Sequence, residues 1–293
     1  MDVPGLLRTR WGVEVDAVEP LDLGMNSLTW RIRSGGRAFV AKAVGLSDGA
    51  FGAGLELARR LDAGGLITGA PVPSLGGRLV ERVGEQQLAV LRYVDGTPLA
   101  GGPEDQSEIG ATLARVHELA PAPAGDLVRW LEVVTQFDDH LDLEPWIRPA
   151  VQAGLDDVVH LTSRRPLTWA SLHGDPAPEA FLRQADGTVA LIDWGAAMVG
   201  PVLYDVASAV MYAGAPEHVV AAYLAGAGPG RAAEVAEGLH TFRRLRWCVQ
   251  AAYFAWRCTM DVRTGAPDPG ANATGLEDAR RALATADAGS ALE

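Results

Sequence analysis

Apolar and polar side chains alternate in the first part of the chain as they do in half-buried strands. Every second residue from Leu28 to Ile32 is apolar, and a Ser-Gly-Gly turn separates this run from a second apolar run over residues 38–44. A period of two places successive side chains on opposite faces of a sheet, and a glycine-rich turn joins antiparallel neighbours. The pattern therefore predicts a hairpin whose second strand carries Lys42 near its middle.

The rest of residues 1–92 predicts further short strands around one helix. Apolar residues recur at the spacing of an amphipathic helix over residues 51–61, and Gly64 follows as its end. Additional strands are expected over residues 13–21, 78–83 and 87–93. This part of the chain is therefore expected to form a small β-rich lobe.

From residue 106 onward the spacing of apolar residues is mostly helical. Helical stretches are expected within residues 109–119, 126–162, 202–262 and 276–286. The exception is the segment 172–193, where Asp186-Gly187 joins two apolar runs as a hairpin turn. The expected fold class is α+β, with the β-rich lobe followed by a larger, mainly helical lobe.

The composition is that of a globular and acidic protein. The 293 residues are 48% hydrophobic and 21% charged, and 37 acidic against 25 basic side chains give a net charge of −12. A negative chain repels nucleic acid and anionic membranes, which excludes those partners, while an acidic cleft favours cationic small molecules. No apolar run reaches the ~18 residues of a membrane span, and residues 1–11 lack the apolar core of a signal peptide.

The cysteines and histidines predict neither a disulfide framework nor a zinc site. The two cysteines, Cys248 and Cys258, lie in one helix-like stretch, and the six histidines are scattered. Free thiols are typical of cytoplasmic proteins, so we expect a cytoplasmic protein. Its expected oligomeric state is a monomer or a homodimer.

Lysine is almost absent from the chain. Of the 25 basic residues, 24 are arginine and one, Lys42, is lysine. Codon bias explains this skew without any functional meaning. A function explains it equally well, because a compact ammonium acts as a point charge in a narrow phosphate site where a planar guanidinium does not fit.

Two carboxylates flank the predicted hairpin. Asp175 lies in the loop that enters it, and Asp193 directly follows its second apolar run. Pairing about the turn brings residue 193 roughly opposite residue 180, so that both acids lie at one end of the ribbon. Taken singly, each aspartate would more commonly cap a turn or a helix. A carboxylate that follows a buried strand is costly unless paired, however, and a bound cation would compensate it.

Together with Lys42, the two aspartates predict phosphoryl transfer. In that chemistry one carboxylate holds Mg²⁺, a second orients a hydroxyl and accepts its proton, and a lysine neutralises phosphate. A Walker-type phosphate loop is excluded, because Lys42 is flanked by Ala41 and Ala43 rather than by glycine and a hydroxyl residue.

Several segments carry motifs that occur together in one enzyme family. They are His173-Gly174-Asp175, Ile192-Asp193-Trp194, Gly200-Pro201 with Tyr204-Asp205-Val206-Ala207, Leu113-Ala114-Arg115-Val116-His117, and Tyr93-Val94-Asp95-Gly96-Thr97-Pro98-Leu99. In this combination, over most of residues 18–260, the chain resembles the aminoglycoside phosphotransferase family, which shares a protein-kinase-like two-lobed fold with choline and homoserine kinases. The resemblance implies a nucleotide-binding lobe over residues 1–92, a hinge over 93–99, and a helical lobe over 100–293 that holds the catalytic loop (172–195) and the substrate site.

The resemblance also implies roles for individual residues. Asp175 and His173 match the catalytic motif, with Asp175 as the base, and Asp193 matches the Mg²⁺ ligand. Lys42 matches the lysine that binds the nucleotide phosphates, and Glu56 matches the helix carboxylate that pairs with that lysine.

The remaining implied contacts concern the nucleotide. The segment Gly24 to Ser27 matches the loop over the phosphates, with Asn26 and Ser27 as its polar contacts, and Tyr93 matches the contact at the hinge. The implied cofactors are ATP, with GTP left open, and Mg²⁺.

The chain departs from the family pattern at one metal ligand. The family has Asn five residues after the catalytic aspartate, and here that residue is Ala180, which has no ligating atom. The adjacent Glu179 supplies hard oxygens that suit Mg²⁺, but neighbouring residues of a regular strand face opposite ways. Glu179 replaces the missing ligand only if the prolines at 176 and 178 shift the register or make a bulge. Otherwise it faces solvent.

Three functions are compatible with these residues. The first is an ATP-dependent kinase of a hydroxylated small molecule, such as an aminoglycoside, a nucleoside-type antibiotic, an amino alcohol or a sugar. The second is a pseudokinase that binds nucleotide or ligand without transfer, which Ala180 favours. A protein kinase comes third, because Asp193 is followed by Trp-Gly and no Ala-Pro-Glu segment is evident.

The substrate contacts are expected in the helical lobe, near residues 126–150 and 240–262. An acidic wall for a cationic substrate, or a solvated helix face, is formed by Asp138, Asp139, Asp142 and Glu144. Aromatic residues at helical spacing, which are more often core than pocket, are Trp247, Tyr253, Phe254 and Trp256.

Overall fold

A six-stranded antiparallel sheet forms the N-terminal lobe of the computed structural model, which describes residues 1–21, 26–136, 138–264, 268 and 270–290. In chain order the elements of this lobe are α1 (Val3–Trp11), β1 (Ala17–Leu21), β2 (Leu28–Ser34), β3 (Arg37–Gly45), α2 (Phe51–Ala63), β4 (Pro71–Val72), β5 (Glu81–Val83) and β6 (Gln86–Arg92). The strand order is β1-β2-β3-β6-β4, with β5 also paired to β6. The predicted hairpin is thereby confirmed as β2 and β3.

Helix α1, which the sequence pattern did not predict, covers one face of this sheet. Leu7 and Trp11 pack there against Ile32 and Phe39. The helix begins where the Asp2 carboxylate accepts the backbone N–H of Gly5, and it ends at Gly12 in a left-handed conformation. The N-terminal lobe therefore contains two helices rather than one. The apolar stripe of α1 is short and carries proline and glycine in its first turn, so its spacing gives a weak signal.

The opposite face of the sheet carries Lys42 and is covered by α2. Phe51 and Leu55 of this helix pack on Val44. Gly54 lets the same helix approach the segment after Asp193, because a Cβ atom at Gly54 would lie 2.0 Å from the Trp194 carbonyl oxygen. Helix α2 therefore joins the sheet to the loop of Asp193.

The C-terminal lobe is mainly helical, as predicted. Its elements are β7 (Thr97–Pro98), α3 (Pro103–Leu119), β8 (Pro121–Ala122), α4 (Leu127–Val134), α5 (Ile147–Arg164), β9 (Trp169–Leu172), β10 (Phe181–Arg183), β11 (Val189–Leu191), β12 (Met198–Pro201), α6 (Leu203–Tyr212), α7 (Pro216–Gly226), α8 (Arg231–Thr259) and α9 (Ala271–Ser290). A large apolar core unites α3, α6, α7 and α8 with β9 to β12. Within the described ranges, no helix has the length and apolar character needed to cross a bilayer.

The predicted hairpin of residues 172–193 is present as β10 and β11. Phe181 lies opposite Leu191, and the backbone N–H of Ile192 donates to the Ala180 carbonyl. The register therefore differs by one residue from the predicted opposition of residues 180 and 193, because the connection runs from Gln184 to Thr188. Both aspartates nevertheless lie on loops at the same end of this ribbon.

Candidate active site

Lys42 and Asp193, which are 151 residues apart in the chain, form an ion pair. Lys42 lies in the middle of β3, between Thr29 and Ala89 on the neighbouring strands, and its side chain is only 15% exposed. Asp193 follows β11 with φ +65° and ψ +61°, a left-handed conformation that is uncommon outside glycine. Strained backbone of this kind is frequent at functional sites.

The Lys42 ammonium determines the protonation of Asp193. Burial of the carboxylate would by itself raise its pKa, but the charge and hydrogen bond of Lys42 outweigh burial and leave the pKa of Asp193 below its ordinary value. The side chain is still 46% exposed. Asp193 is therefore an accessible, ionised carboxylate in contact with a lysine.

Asp175 follows β9 in a loop that is in contact with the loop of Asp193. Gly174 has φ +88°, and a Cβ atom there would lie 2.0 Å from the Ala196 carbonyl oxygen. Only glycine allows both this conformation and this close approach. The two acids are thus brought to adjacent loops, as the sequence predicts.

His173 is buried and links the two loops. Its Nε2 donates to the Ile192 carbonyl oxygen at 2.9 Å, and its ring packs edge-on against Trp194 at 4.8 Å between centroids. With 1% of the residue exposed, the imidazole is not accessible to a substrate. His173 therefore connects the loop of Asp175 to that of Asp193 from a buried position, and its catalytic role stays a prediction.

Asp205 holds the backbone of the loop that carries Asp175. Its carboxylate accepts the backbone N–H groups of His173 at 2.7 Å and Gly174 at 2.8 Å, and the ring nitrogen Nε2 of His117 lies 3.1 Å away. Nδ1 of His117 is in turn 3.0 Å from the hydroxyl of Tyr223. Burial would raise the pKa of Asp205, but the His117 hydrogen bond and the backbone donors leave it lowered. Both residues lie in motifs that resemble the family pattern, but their supporting contacts follow only from the fold.

Removing the Asp205 carboxylate is expected to destabilise the whole catalytic loop. Asp205→Ala leaves two buried N–H groups and the ring of His117 without their acceptor, which costs about 3–5 kcal/mol of unfolding free energy in urea titrations. Because the pKa of Asp205 is lowered in the folded state, this stabilisation exists above about pH 4 and disappears as the pH falls.

The matched control is Asp126→Ala. Asp126 caps α4 through a single backbone N–H, that of Arg129, so its loss should cost only about 1 kcal/mol. An Asp205→Ala loss no larger than this one would contradict the supporting role.

The Asp175 carboxylate is 52% exposed and receives two hydrogen bonds on Oδ1. The Tyr212 hydroxyl donates at 3.0 Å and the Arg246 guanidinium at 3.3 Å. Neither donor was predicted, because they come from α6 and α8, far from Asp175 in sequence. Tyr212 carries a weak sequence signal, as a hydroxyl at the end of a mostly apolar helical stretch, whereas Arg246 is one of three arginines within four residues and gives none.

Helix α8 also contacts the loop expected to cover the phosphates. The Asn26 side-chain oxygen accepts from the Tyr253 hydroxyl at 3.0 Å and from Arg257 at 3.2 Å, while Ser27 pairs with Thr29 at 3.3 Å. Residues 24 and 25 of the predicted loop lie outside the described residues. Asn26 is thus held by the helical lobe, across the cleft from its own sheet.

The predicted pair of Lys42 and Glu56 is not formed. The Glu56 carboxylate instead makes two hydrogen bonds to Arg59, three residues along α2, at 2.6 and 3.0 Å. Contacts at this spacing form within a single helix turn and need no tertiary structure. At Tyr93, the predicted hinge contact, the guanidinium of Arg31 lies 4.4 Å above the ring.

Glu179 is exposed and Ala180 is buried in the apolar core. They lie in a short 3₁₀ turn, Pro178–Ala180, that precedes β10. The negative charge of Glu179 acts on Tyr212, whose pKa is raised by burial and then by Asp175 and Glu179. Glu179 is therefore near enough to Tyr212 for its charge to act on that hydroxyl.

The predicted substrate residues separate into surface, core and cleft positions. Asp142 forms a two-point ion pair with Arg148 at 2.7 and 2.9 Å, and the side chain of Asp138 lies outside the described part of the structure. Phe254 is buried against Gly275, and Trp247 packs in a core between α5, α8 and α9. Tyr253, by contrast, donates a hydrogen bond from its hydroxyl to the side chain of Asn26.

A separate pocket of about 340 Å³ lies beside the hinge. Its lining includes Asp62, Arg92, Tyr93 and Gln184, and none of Lys42, Asp175 or Asp193. It is therefore distinct from the cleft where the charged groups meet.

Comparison with known proteins gives one family and a set of similar structures. The model of the phosphotransferase enzyme family matches residues 17–238. No curated protein sequence matches the chain.

Three solved structures illustrate the likeness. Choline kinase LicA from Streptococcus pneumoniae is 15% identical with a TM-score of 0.71, covering 97% of this chain and 98% of its own. Spectinomycin phosphotransferase APH(9)-Ia, in complex with ADP and spectinomycin, is 14% identical with a TM-score of 0.65, covering 95% and 93%. A thermostable mutant of aminoglycoside phosphotransferase APH(4)-Ia, with AMP-PNP and hygromycin B, is 18% identical with a TM-score of 0.64, covering 94% and 98%. At these identities the likeness shows a shared two-lobed, kinase-type fold.

Proposed function

The chain belongs to the phosphotransferase enzyme family, and we propose that it is a small-molecule kinase that moves the γ-phosphate of ATP to a hydroxyl group. The observation that carries the proposal is the ion pair of Lys42 and Asp193. The loop of Asp193 is in contact with the loop of Asp175. These are the charges that phosphoryl transfer requires, in one cleft between two lobes.

The proposed reaction gives separate tasks to Lys42, to residues 93–99 and to Asp175. Lys42 binds the nucleotide phosphates, and residues 93–99 form the hinge beside the nucleotide base. Asp175 accepts the proton of the substrate hydroxyl while the hydroxyl oxygen bonds to the γ-phosphorus. The bond from this phosphorus to the bridging oxygen breaks, and ADP leaves with that electron pair.

The residues present fit a magnesium ion that is shared with the nucleotide. Asp193 offers exposed, ionised oxygens, which are the hard ligands that Mg²⁺ prefers. Among the described residues, no three His, Cys, Asp or Glu side chains form a complete metal site. That agrees with a metal that takes its remaining ligands from phosphate and water. When bound, the ion would neutralise charge on the phosphates, held by Asp193 with Glu179 as a second ligand.

Glu179→Ala is expected to raise the Mg²⁺ concentration needed for half-maximal turnover by about tenfold, since a lost carboxylate ligand weakens metal binding. Ala180→Asn should change it less, because position 180 is buried in the core. The control is Glu14→Ala, which removes an exposed carboxylate before β1. An unchanged Mg²⁺ titration in the Glu179→Ala protein would remove Glu179 from the metal site.

The substrate is proposed to be a hydroxylated and cationic small molecule. The exposed carboxylates of Asp175 and Glu179 attract positive charge in an acidic protein. Choline, spectinomycin and hygromycin B are suitable first acceptors, because the similar structures are named for proteins that act on or bind them. We place the enzyme in the cytoplasm, where its free Cys248 and Cys258 stay reduced.

A second function, nucleotide binding without transfer, is favoured by Ala180 at the position of a metal ligand. Thermal denaturation with ATP, with and without Mg²⁺, followed by turnover of γ-labelled ATP with each acceptor, separates the two. Mg²⁺-dependent stabilisation together with labelled product supports the kinase. Stabilisation without hydrolysis or transfer to any acceptor supports the binding protein.

A further inference from the structure

The carboxylate of Asp175 is held asymmetrically. Both Tyr212 and Arg246 donate to Oδ1, and no residue that the structure describes donates to Oδ2. A carboxylate oxygen with two donors has little capacity left for a third partner, while the other oxygen keeps its lone pairs. The two oxygens of Asp175 are therefore not equivalent in the folded protein.

The Arg246 donor is fixed by packing. The side chain of Arg246 is only 6% exposed, donates also to the Tyr204 hydroxyl at 3.2 Å, and lies 5.1 Å above the Tyr204 ring. Burial would lower the pKa of Arg246, but Tyr204 and Asp175 outweigh it and raise the pKa, so the guanidinium stays charged. Burial raises the pKa of Tyr212, which keeps its proton for donation.

We propose that Tyr212 and Arg246 are positioning residues that fix Oδ1 of Asp175 and thereby present Oδ2 to the substrate hydroxyl. This inference rests on the proposed function, in which Asp175 accepts the hydroxyl proton. It goes further by assigning one oxygen to the protein and the other to the substrate. Helices α6 and α8, which carry the two donors, then set the direction of attack on the γ-phosphate.

The orientation of Asp175 matters in this reaction in addition to its basicity. The transition state of phosphoryl transfer is loose, so catalysis depends largely on the positions of the reacting groups. A small misplacement of a reacting group can nevertheless cost up to about a hundredfold in rate. Loss of either donor should therefore lower kcat and leave nucleotide binding unchanged.

The test combines single and double variants in single-turnover assays with radiolabelled ATP, Mg²⁺ and the acceptor found to react, or water if none does. Tyr212→Phe and Arg246→Lys are each expected to lower kcat by about tenfold at an unchanged Kd for ATP. In an Asp175→Asn background the same substitutions should have less than about a twofold effect, because the group that they orient is absent. Arg244→Lys, two residues away on α8 and paired with Asp157, is the matched control and should match wild type.

The outcomes separate this inference from the proposed function. If wild type turns over ATP and Asp175→Asn does not, the proposed function stands. The kcat values of Tyr212→Phe and Arg246→Lys then decide the positioning role. Unchanged kcat in both variants, or equal losses with and without Asp175, would overturn the positioning role. Absence of any turnover by wild type would overturn the inference together with the function.

Discussion

Asp175→Asn is expected to lower turnover about a thousandfold and leave the affinity for ATP unchanged. General-base catalysis contributes on the order of 10²–10⁴ in rate, and an amide cannot accept the hydroxyl proton. Asp175 lies about half exposed at the mouth of the cleft, and its contacts are with Tyr212 and Arg246 rather than with Lys42. Nucleotide binding should therefore survive, and kcat measured at saturating ATP should carry the whole loss.

The substitution also tests whether turnover belongs to this cleft. Asp278→Asn on α9, a similar change at an exposed ion pair with Arg281, should leave kcat unchanged. A kcat within threefold of wild type in Asp175→Asn would show that another group accepts the proton, or that no specific base does.

Lys42→Arg is expected to lower kcat/KM for ATP about a hundredfold, although charge is kept. The Lys42 ammonium is 15% exposed and fits between β3 and Asp193 as a point charge. A guanidinium is larger and planar, and it prefers to bind both oxygens of a carboxylate, which would engage Asp193 and withdraw it from a metal. The loss should therefore appear in both nucleotide affinity and kcat.

This prediction separates function from composition at the one lysine in the chain. The remaining 24 basic residues are arginine, so codon bias alone predicts that arginine is tolerated at position 42. Arg37→Lys, at the exposed start of the same strand, is the matched control and should be silent. Full activity of Lys42→Arg would show that codon bias alone explains the arginine-to-lysine ratio and that lysine has no special role at position 42.

The sequence could predict the parts of the site that depend on local pattern. Alternation placed Lys42 on β3, and the Asp-Gly turn brought Asp175 and Asp193 to one end of a hairpin. Motif resemblance then supplied their roles. These signals are strong because each needs only the residues within one strand, turn or loop.

The remaining features depend on tertiary packing that no local pattern encodes. Tyr212 and Arg246 lie 37 and 71 residues from Asp175 and meet it only after α6 and α8 pack together. Glu56 shows the converse, since a local contact with Arg59 replaced the expected tertiary pair. Glu179 stays a prediction, because exposure is necessary for a metal ligand but is not sufficient.

The proposed function requires that one nucleotide meets Lys42, Asp175 and Asp193, and a crystal structure with AMP-PNP and Mg²⁺ tests this most directly. We expect the triphosphate at Lys42, the metal on Asp193, and the γ-phosphorus facing Oδ2 of Asp175. A nucleotide bound instead in the pocket beside the hinge, against Asp62 and Arg92, with Lys42 still paired only to Asp193, would contradict it.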